Sequence, residues 1–134
     1  MVESTPRRGS APLVECIVPI LRVKSLAASV RYYREVLGFS LDWGDAETDS
    51  MVSVSQNGQA IMLCQGAQGQ PGTWIWIGVD DIAPLFADLE RKGVQFLQPP
   101  TERPWAYEMQ VVDPDGHVLR FGSEPTLRTH EEPA

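Results

Sequence analysis

Apolar and polar positions along the chain change period several times between Val14 and Phe121. Val14–Val23 is apolar at nearly every position and reads as a strand. Pro19 interrupts it, and a proline removes a ladder donor, so it marks an edge, a bulge or a departure from the sheet. Ser25 then caps a helix predicted to run to about Leu37, with Leu26, Val30, Tyr33 and Leu37 on one face and Gly38 as its stop. Three strands follow, Phe39–Trp43, Met51–Ser55 and Ala60–Gln65. The last two are joined across Asn57-Gly58, a strong hairpin signal. Gly66–Gly72 is a flexible connector. Beyond it Thr73–Val79 reads as a strand, and Asp81 caps a helix with Ile82, Leu85, Phe86 and Leu89 inward that ends at Gly93. Val94–Leu97 is a strand, Pro99–Pro104 a loop, and the strands Tyr107–Val112 and His117–Phe121 flank the turn Asp113-Pro114-Asp115-Gly116.

The second series repeats the first. Leu21–Leu26 lies against Ile77–Ile82 at an offset of 56, and Asn57-Gly58 lies against Asp115-Gly116 at an offset of 58. Each half reads βαβββ, and neither could bury both faces of its sheet alone. The expected architecture is α+β: two curved mixed sheets around a cleft, with the helices outside. The organisation predicted is an N-terminal tail over 1–12, one domain over 13–123 with repeats at about 14–65 and 73–122, and a C-terminal tail over 124–134.

Composition narrows the partners. In 134 residues, 43% are hydrophobic and 22% charged, with a formal net charge of −7. That balance is globular, and its sign argues against nucleic acid and anionic membranes. No run approaches the ~18 apolar residues of a transmembrane helix. Arg7 and Arg8 are not followed by an apolar segment, so no secretory signal is expected and the location read is cytoplasmic. Cys16 and Cys64, each inside an apolar run, are expected as buried free thiols in a reducing compartment. The chain carries no CxxC, HxxxH, Walker or GxGxxG motif.

The duplicated βαβββ pattern, with "LRVKSLAASVRYYREVLGF" (Leu21–Phe39) opening one half and "VVDPDGHVLRF" (Val111–Phe121) closing the other, resembles the vicinal oxygen chelate superfamily. That superfamily includes glyoxalase I, extradiol dioxygenases, fosfomycin-resistance thiol transferases and bleomycin resistance proteins. The resemblance implies four equivalent metal-ligand points, which fall here on Val18, Trp74, Met62 and Arg120. A divalent ion needs nitrogen or anionic oxygen donors, and these four offer none. The two histidines are His117, placed by alternation on the side of its strand opposite Arg120 and expected at a surface or interface, and His130 in the tail. Neither metal nor other cofactor is expected.

The tryptophans are placed informatively. Trp74 and Trp76 share one face of their strand, Trp43 ends a strand, and Trp105 sits in an irregular segment where a large ring has no core role. Core packing is the favoured reading of Trp76. "VPIL" (Val18–Leu21), "LGFSLDW" (Leu37–Trp43), "TWIWI" (Thr73–Ile77), "RPWAYE" (Arg103–Glu108) and "DPDGHVLRF" (Asp113–Phe121) together resemble the bleomycin resistance branch, whose members bind a drug without changing it. The resemblance implies that Trp43 and Trp105 sandwich a flat heteroaromatic, with Trp74, Met62, Arg120 and Tyr107 around it. The family's further aromatic has no counterpart in Gly44–Thr48. Asp42, Asp45, Glu47 and Asp49 beside Trp43 form an acidic rim suited to a cationic ligand. Pro19 matches the proline at which the family's N-terminal strand crosses to a partner subunit, implying a homodimer with an exchanged arm. The function implied is sequestration of a flat, cationic glycopeptide antibiotic of the bleomycin type, with no catalytic residue. The alternatives are a metal-dependent glyoxalase-like lyase, isomerase or thiol transferase, for which Glu102, Glu108 and His117 are the nearby candidate ligands, and a binder of another metabolite.

Overall fold

A computed structural model describes residues 13–125. The first module comprises β1 (Ile20–Val23), α1 (Leu26–Arg31), β2 (Ser40–Trp43), β3 (Met51–Gln56) and β4 (Gln59–Gln65); the second comprises β5 (Trp74–Gly78), α2 (Ile82–Arg91), β6 (Gln95–Glu102), β7 (Tyr107–Val112) and β8 (Val118–Ser123). Each module forms a four-stranded mixed sheet, in the orders β1-β4-β3-β2 and β5-β8-β7-β6. The two βαβββ repeats are therefore real and topologically identical.

The local chemistry works as the pattern predicts. The Ser25 side chain accepts from the Ala28 N–H, and Asp81 accepts from the Ala83 N–H, each at 3.1 Å. Pro84 falls in the first turn of α2, where its missing N–H has no partner to lose. Asn57 and Gly58 both adopt positive φ, 53° and 80°, as a two-residue hairpin turn requires. The first helix continues past α1 as a π-helical stretch, Tyr32–Val36. Lys92 donates from Nζ to the carbonyls of Glu35 and Val36, tying that helix end to the end of α2.

Three expectations need correction. The first strand starts at Ile20, directly after Pro19, so Val14–Pro19 is not part of the sheet. Leu13, Val14 and Ile17 are exposed, and Cys16 is an exposed free thiol, whereas Cys64 is buried. Strand β6 runs on through Pro99 and Pro100 to Glu102, where a loop was expected. It is the outer strand of its sheet, and its register with β7 shifts twice, so two absent N–H donors are tolerated.

One face of each sheet is closed by its helix. Leu21, Val23, Val52, Val54, Ile61 and Leu63 of the first sheet and Met109, Val111, Leu119 and Phe121 of the second belong to one buried cluster that includes Leu26, Val30, Tyr33, Ile82 and Leu89. The modules are also joined by polar bonds to the Asp113–His117 turn. The Tyr33 hydroxyl, fully buried, donates to Asp113 Oδ2 at 2.8 Å. Asp115 accepts from the Lys24 N–H and from Ser29 Oγ. His117 is completely buried in this junction, accepting at Nδ1 from the Thr73 N–H at 3.0 Å. That leaves Nε2–H to donate to the Arg22 carbonyl at 2.6 Å. It is an interface histidine, but between the two modules of one chain.

Candidate functional site

Period-2 alternation leaves one face of each sheet free of the core. On the second sheet that face carries Trp74, Trp76 and Gly78 from β5, Arg120 and Gly122 from β8, and Glu108 and Gln110 from β7. The register aligns Trp76 with Arg120 and Gln110, and aligns Gly78 with Gly122 and Glu108. Trp76 reaches diagonally across this grid, and its Nε1–H donates to Glu108 Oε2 at 3.1 Å. Trp105, in the short connection between β6 and β7, donates its own Nε1–H to the same oxygen at 3.3 Å. Arg120 completes the set, donating to Glu108 Oε1 from Nε at 3.2 Å and from Nη2 at 2.8 Å.

Glu108 is nearly fully buried, yet it receives four N–H donors on two oxygens. A carboxylate has about four lone-pair sites, so this one is saturated. Burial alone would raise its pKa. The Arg120 guanidinium and the two indole N–H groups outweigh that and hold it below the ordinary value for a glutamate. Glu108 is therefore ionised at neutral pH, and its charge is spent on fixing the two rings and the guanidinium. The rings themselves stay in solvent: Trp76 is 56% exposed, Trp105 63% and Trp74 55%. Trp76 is not a core residue. Trp76 and Trp105 line a cavity of about 210 Å³, with Val79, Ala106, Ser123 and Glu124 around it.

The free face of the first sheet carries Ile20, Met62 and Ser53, which lie in one row. The register slips between Leu41 and Trp43, and Trp43 then sits opposite Ser53. Such a bulge turns consecutive residues toward one side. Asp42 accepts from Ser53 Oγ at 3.0 Å and Ser55 Oγ at 2.6 Å, and Trp43 beside it is 49% exposed. The other acids of the predicted rim fold their own loop: Asp45 accepts from the Glu47 N–H and Asp49 from the Asp45 N–H.

The predicted site residues thus divide between two surfaces. Trp74, Trp105 and Arg120 share the second sheet, whereas Trp43 and Met62 share the first. Tyr107 packs on the hydrophobic core from the face of β7 opposite Glu108, so it does not join the tryptophans. Pro19 stands where the arm leaves the sheet, its carbonyl accepting from the Met62 N–H at 2.9 Å. The sequence reading missed Glu108 as the organising group and Trp76 as an exposed ring.

The four points at which the fold could hold a metal do not fit one. Val18, Trp74 and Met62 supply no anionic or imidazole donor, and Arg120 brings a positive charge already paired with Glu108. Of the three candidate ligands, Glu108 is saturated and both ring nitrogens of His117 are engaged, while Glu102, at the end of β6, belongs to no group of described residues that could hold a metal. Among the described residues, no group of three His, Cys, Asp or Glu side chains could hold a metal ion. Among the same residues, no helix is long and apolar enough to cross a membrane.

A duplicated βαβββ fold with one free face per sheet defines a class of small two-module proteins. The chain belongs to the Glyoxalase/Bleomycin resistance protein/Dioxygenase superfamily, whose family model matches residues 14–121. TioX from Micromonospora sp. ML1 is similar in structure, with a TM-score of 0.72 and 20% identity over 81% of this chain and 97% of that one. TnmS3, an antibiotic binding protein from Streptomyces sp. CB03234, gives a TM-score of 0.71 and 20% identity over 87% and 99%. The integron cassette protein HFX_CASS4, from the mobile metagenome of the Halifax Harbour sewage outfall, gives 0.70 and 26% over 82% and 99%. No curated protein matches the chain in sequence.

Proposed function

We propose that this protein is a metal-free, non-catalytic binder that sequesters a flat, cationic small molecule, an antibiotic of the bleomycin type, in the cytoplasm. The observation that carries this reading is the saturated carboxylate of Glu108 holding two exposed indoles. Ring faces fixed in this way are preorganised for stacking, which contributes ~0.5–1.5 kcal/mol per ring pair beyond area burial. The carboxylate that holds both rings, Glu108, already accepts four N–H donors and has no lone pair left to act as a base. The structural likeness to an antibiotic binding protein supports the same reading at the level of fold.

The assembly proposed is a homodimer in which residues before Ile20 cross to the partner at Pro19. The apolar side chains of Leu13, Val14 and Ile17 support it, because they stay exposed among the described residues.

Titration with metal-free bleomycin at pH 7, followed by tryptophan fluorescence, is expected to show saturable quenching at micromolar drug. The sign of the pH dependence follows from Glu108. Its pKa is depressed in the folded protein, so its contribution is complete above the ordinary glutamate value and is lost as pH falls through the lowered one. Affinity should be level from pH 7 to about pH 5 and decline in stronger acid. Absence of saturable quenching at micromolar drug would remove bleomycin-type ligands from consideration.

A further inference from the structure

We propose that Trp76, laid flat on a two-glycine platform, is the principal stacking surface of the site, and that the slot it forms with Trp105 takes a planar heteroaromatic ring bearing a positive charge. The proposal rests on the binding reading above and narrows its ligand.

The platform is visible in what a side chain would do to it. Gly78 and Gly122 are directly paired across β5 and β8. Neither has the positive φ that marks glycines kept for backbone reasons. Their shared peculiarity is their neighbour. A Cβ on Gly122 would lie 2.6 Å from Trp76 Cζ2, and one on Gly78 would lie 2.9 Å from Trp76 Cζ3. The indole therefore lies against bare backbone at two places, crossing Gly122 on its way to Glu108. Any larger residue at either position would lift the ring and lengthen the bond to Oε2. With one face on the strands, the exposed half of Trp76 is the opposite face. Trp105, hung from the same oxygen, stands beside it, and the open cavity of about 210 Å³ that both rings line has room for a planar ring system.

The charge of the ligand follows from the electrostatics of this slot. Donation of Nε1–H to a carboxylate pushes electron density into an indole, so both rings present enriched faces. A cation over such a face is attracted by the ring quadrupole. The Glu108 charge is balanced by Arg120, whereas Glu124 adds a further carboxylate to the cavity lining. Gly78 and Gly122 are specificity residues in this scheme, and Glu108 is a positioning residue that does not touch the ligand.

The test uses the full chain, with the indole N–H resonances of the four tryptophans followed by nitrogen–proton NMR at pH 8. The probes are N-methylquinolinium, permanently cationic, and 4-methylquinoline, uncharged at that pH. Saturating N-methylquinolinium should move the Trp76 and Trp105 resonances most and bind roughly threefold to thirtyfold tighter than the neutral probe. Gly122→Ala should shift the Trp76 resonance in the free protein and weaken N-methylquinolinium roughly fivefold, the scale of one stacking contact. Gly78→Ala, whose Cβ meets another edge of the same ring, should act in the same direction and serves if the first variant does not fold. Glu108→Gln should displace both resonances together. Unchanged affinity in a folded glycine variant overturns the platform, and equal affinity for the two probes overturns the charge assignment. Either result with saturable bleomycin binding intact leaves the binding reading standing. If neither probe nor bleomycin perturbs any indole, the binding reading falls and takes the platform with it.

Discussion

Asp113→Ala is expected to lower the melting temperature by roughly 10–20 °C. Asp113 is buried and accepts three hydrogen bonds: from Tyr33 Oη at 2.8 Å, from the Asp115 N–H at 2.8 Å and from the His117 N–H at 2.9 Å. Removing the carboxylate strands a buried phenol and two backbone donors and frees the turn that locks the modules together, at a cost of ~3–5 kcal/mol. Tyr33→Phe should cost only ~1–2 kcal/mol, since Asp113 keeps its two backbone partners. It should also change the alkaline limb. Burial, and then the Asp113 charge, raise the Tyr33 pKa well above 10. The neutral phenol is the form the fold requires, so its contribution is complete below about pH 10 and lost as pH rises beyond it. Melts at pH 7 and pH 10.5 should show the variant losing less than the parent over that interval. A melting temperature for Asp113→Ala within 3 °C or so of the parent would contradict this account of the junction.

Trp105→Ala is expected to weaken ligand binding by roughly 30-fold to 1000-fold, the ~2–4 kcal/mol of an aromatic hot spot, while leaving the melting temperature nearly unchanged. The separation of the two effects follows from its position. The ring is 63% exposed and is tied to the protein by one hydrogen bond, so the fold loses little with it. The binding face loses one of its two fixed walls. Binding can be followed by calorimetry and stability by thermal melts on the same samples. A variant that binds as tightly as the parent would show that Trp105 does not contact the ligand.

Much of the architecture was legible because its signals are local. Ser25 and Asp81 cap helices, Asn57-Gly58 turns a hairpin, and their recurrence exposes the duplication without any tertiary knowledge. The errors share one origin, which is relations between segments distant in sequence. Val14 and Ile17 look like strand residues by hydrophobicity, yet they are exposed, and no strand among the described residues pairs with them. Pro99 and Pro100 look like loop residues, and only their place on an outer strand makes them compatible with β6. His117 looked peripheral until the Arg22 carbonyl and the Thr73 N–H closed around it.

The candidate site was legible in its rings and obscure in its support. The exposure of Trp105 followed from its irregular segment, while alternation gave Trp74 and Trp76 one common face and nothing about its cover. Trp76 was misread because alternation gives the face of a strand but not what stands next to it; the space for its ring is made by a glycine two residues along and another on the neighbouring strand. Glu108 carried a usable signal, a lone acid within the strand Tyr107–Val112 three positions after a tryptophan. Its role depends on Trp76 and Arg120, 32 and 12 residues away, which no local pattern joins.

On the proposed function, the protein holds a flat molecule on fixed indoles and, without a metal, leaves it unchanged. Native mass spectrometry of protein purified without chelator and mixed with metal-free bleomycin tests it most directly. The expected species is a dimer carrying two drug molecules and no metal, releasing drug at its original mass. Stoichiometric nickel, zinc, manganese or iron on the protein, or drug recovered at an altered mass, would contradict it.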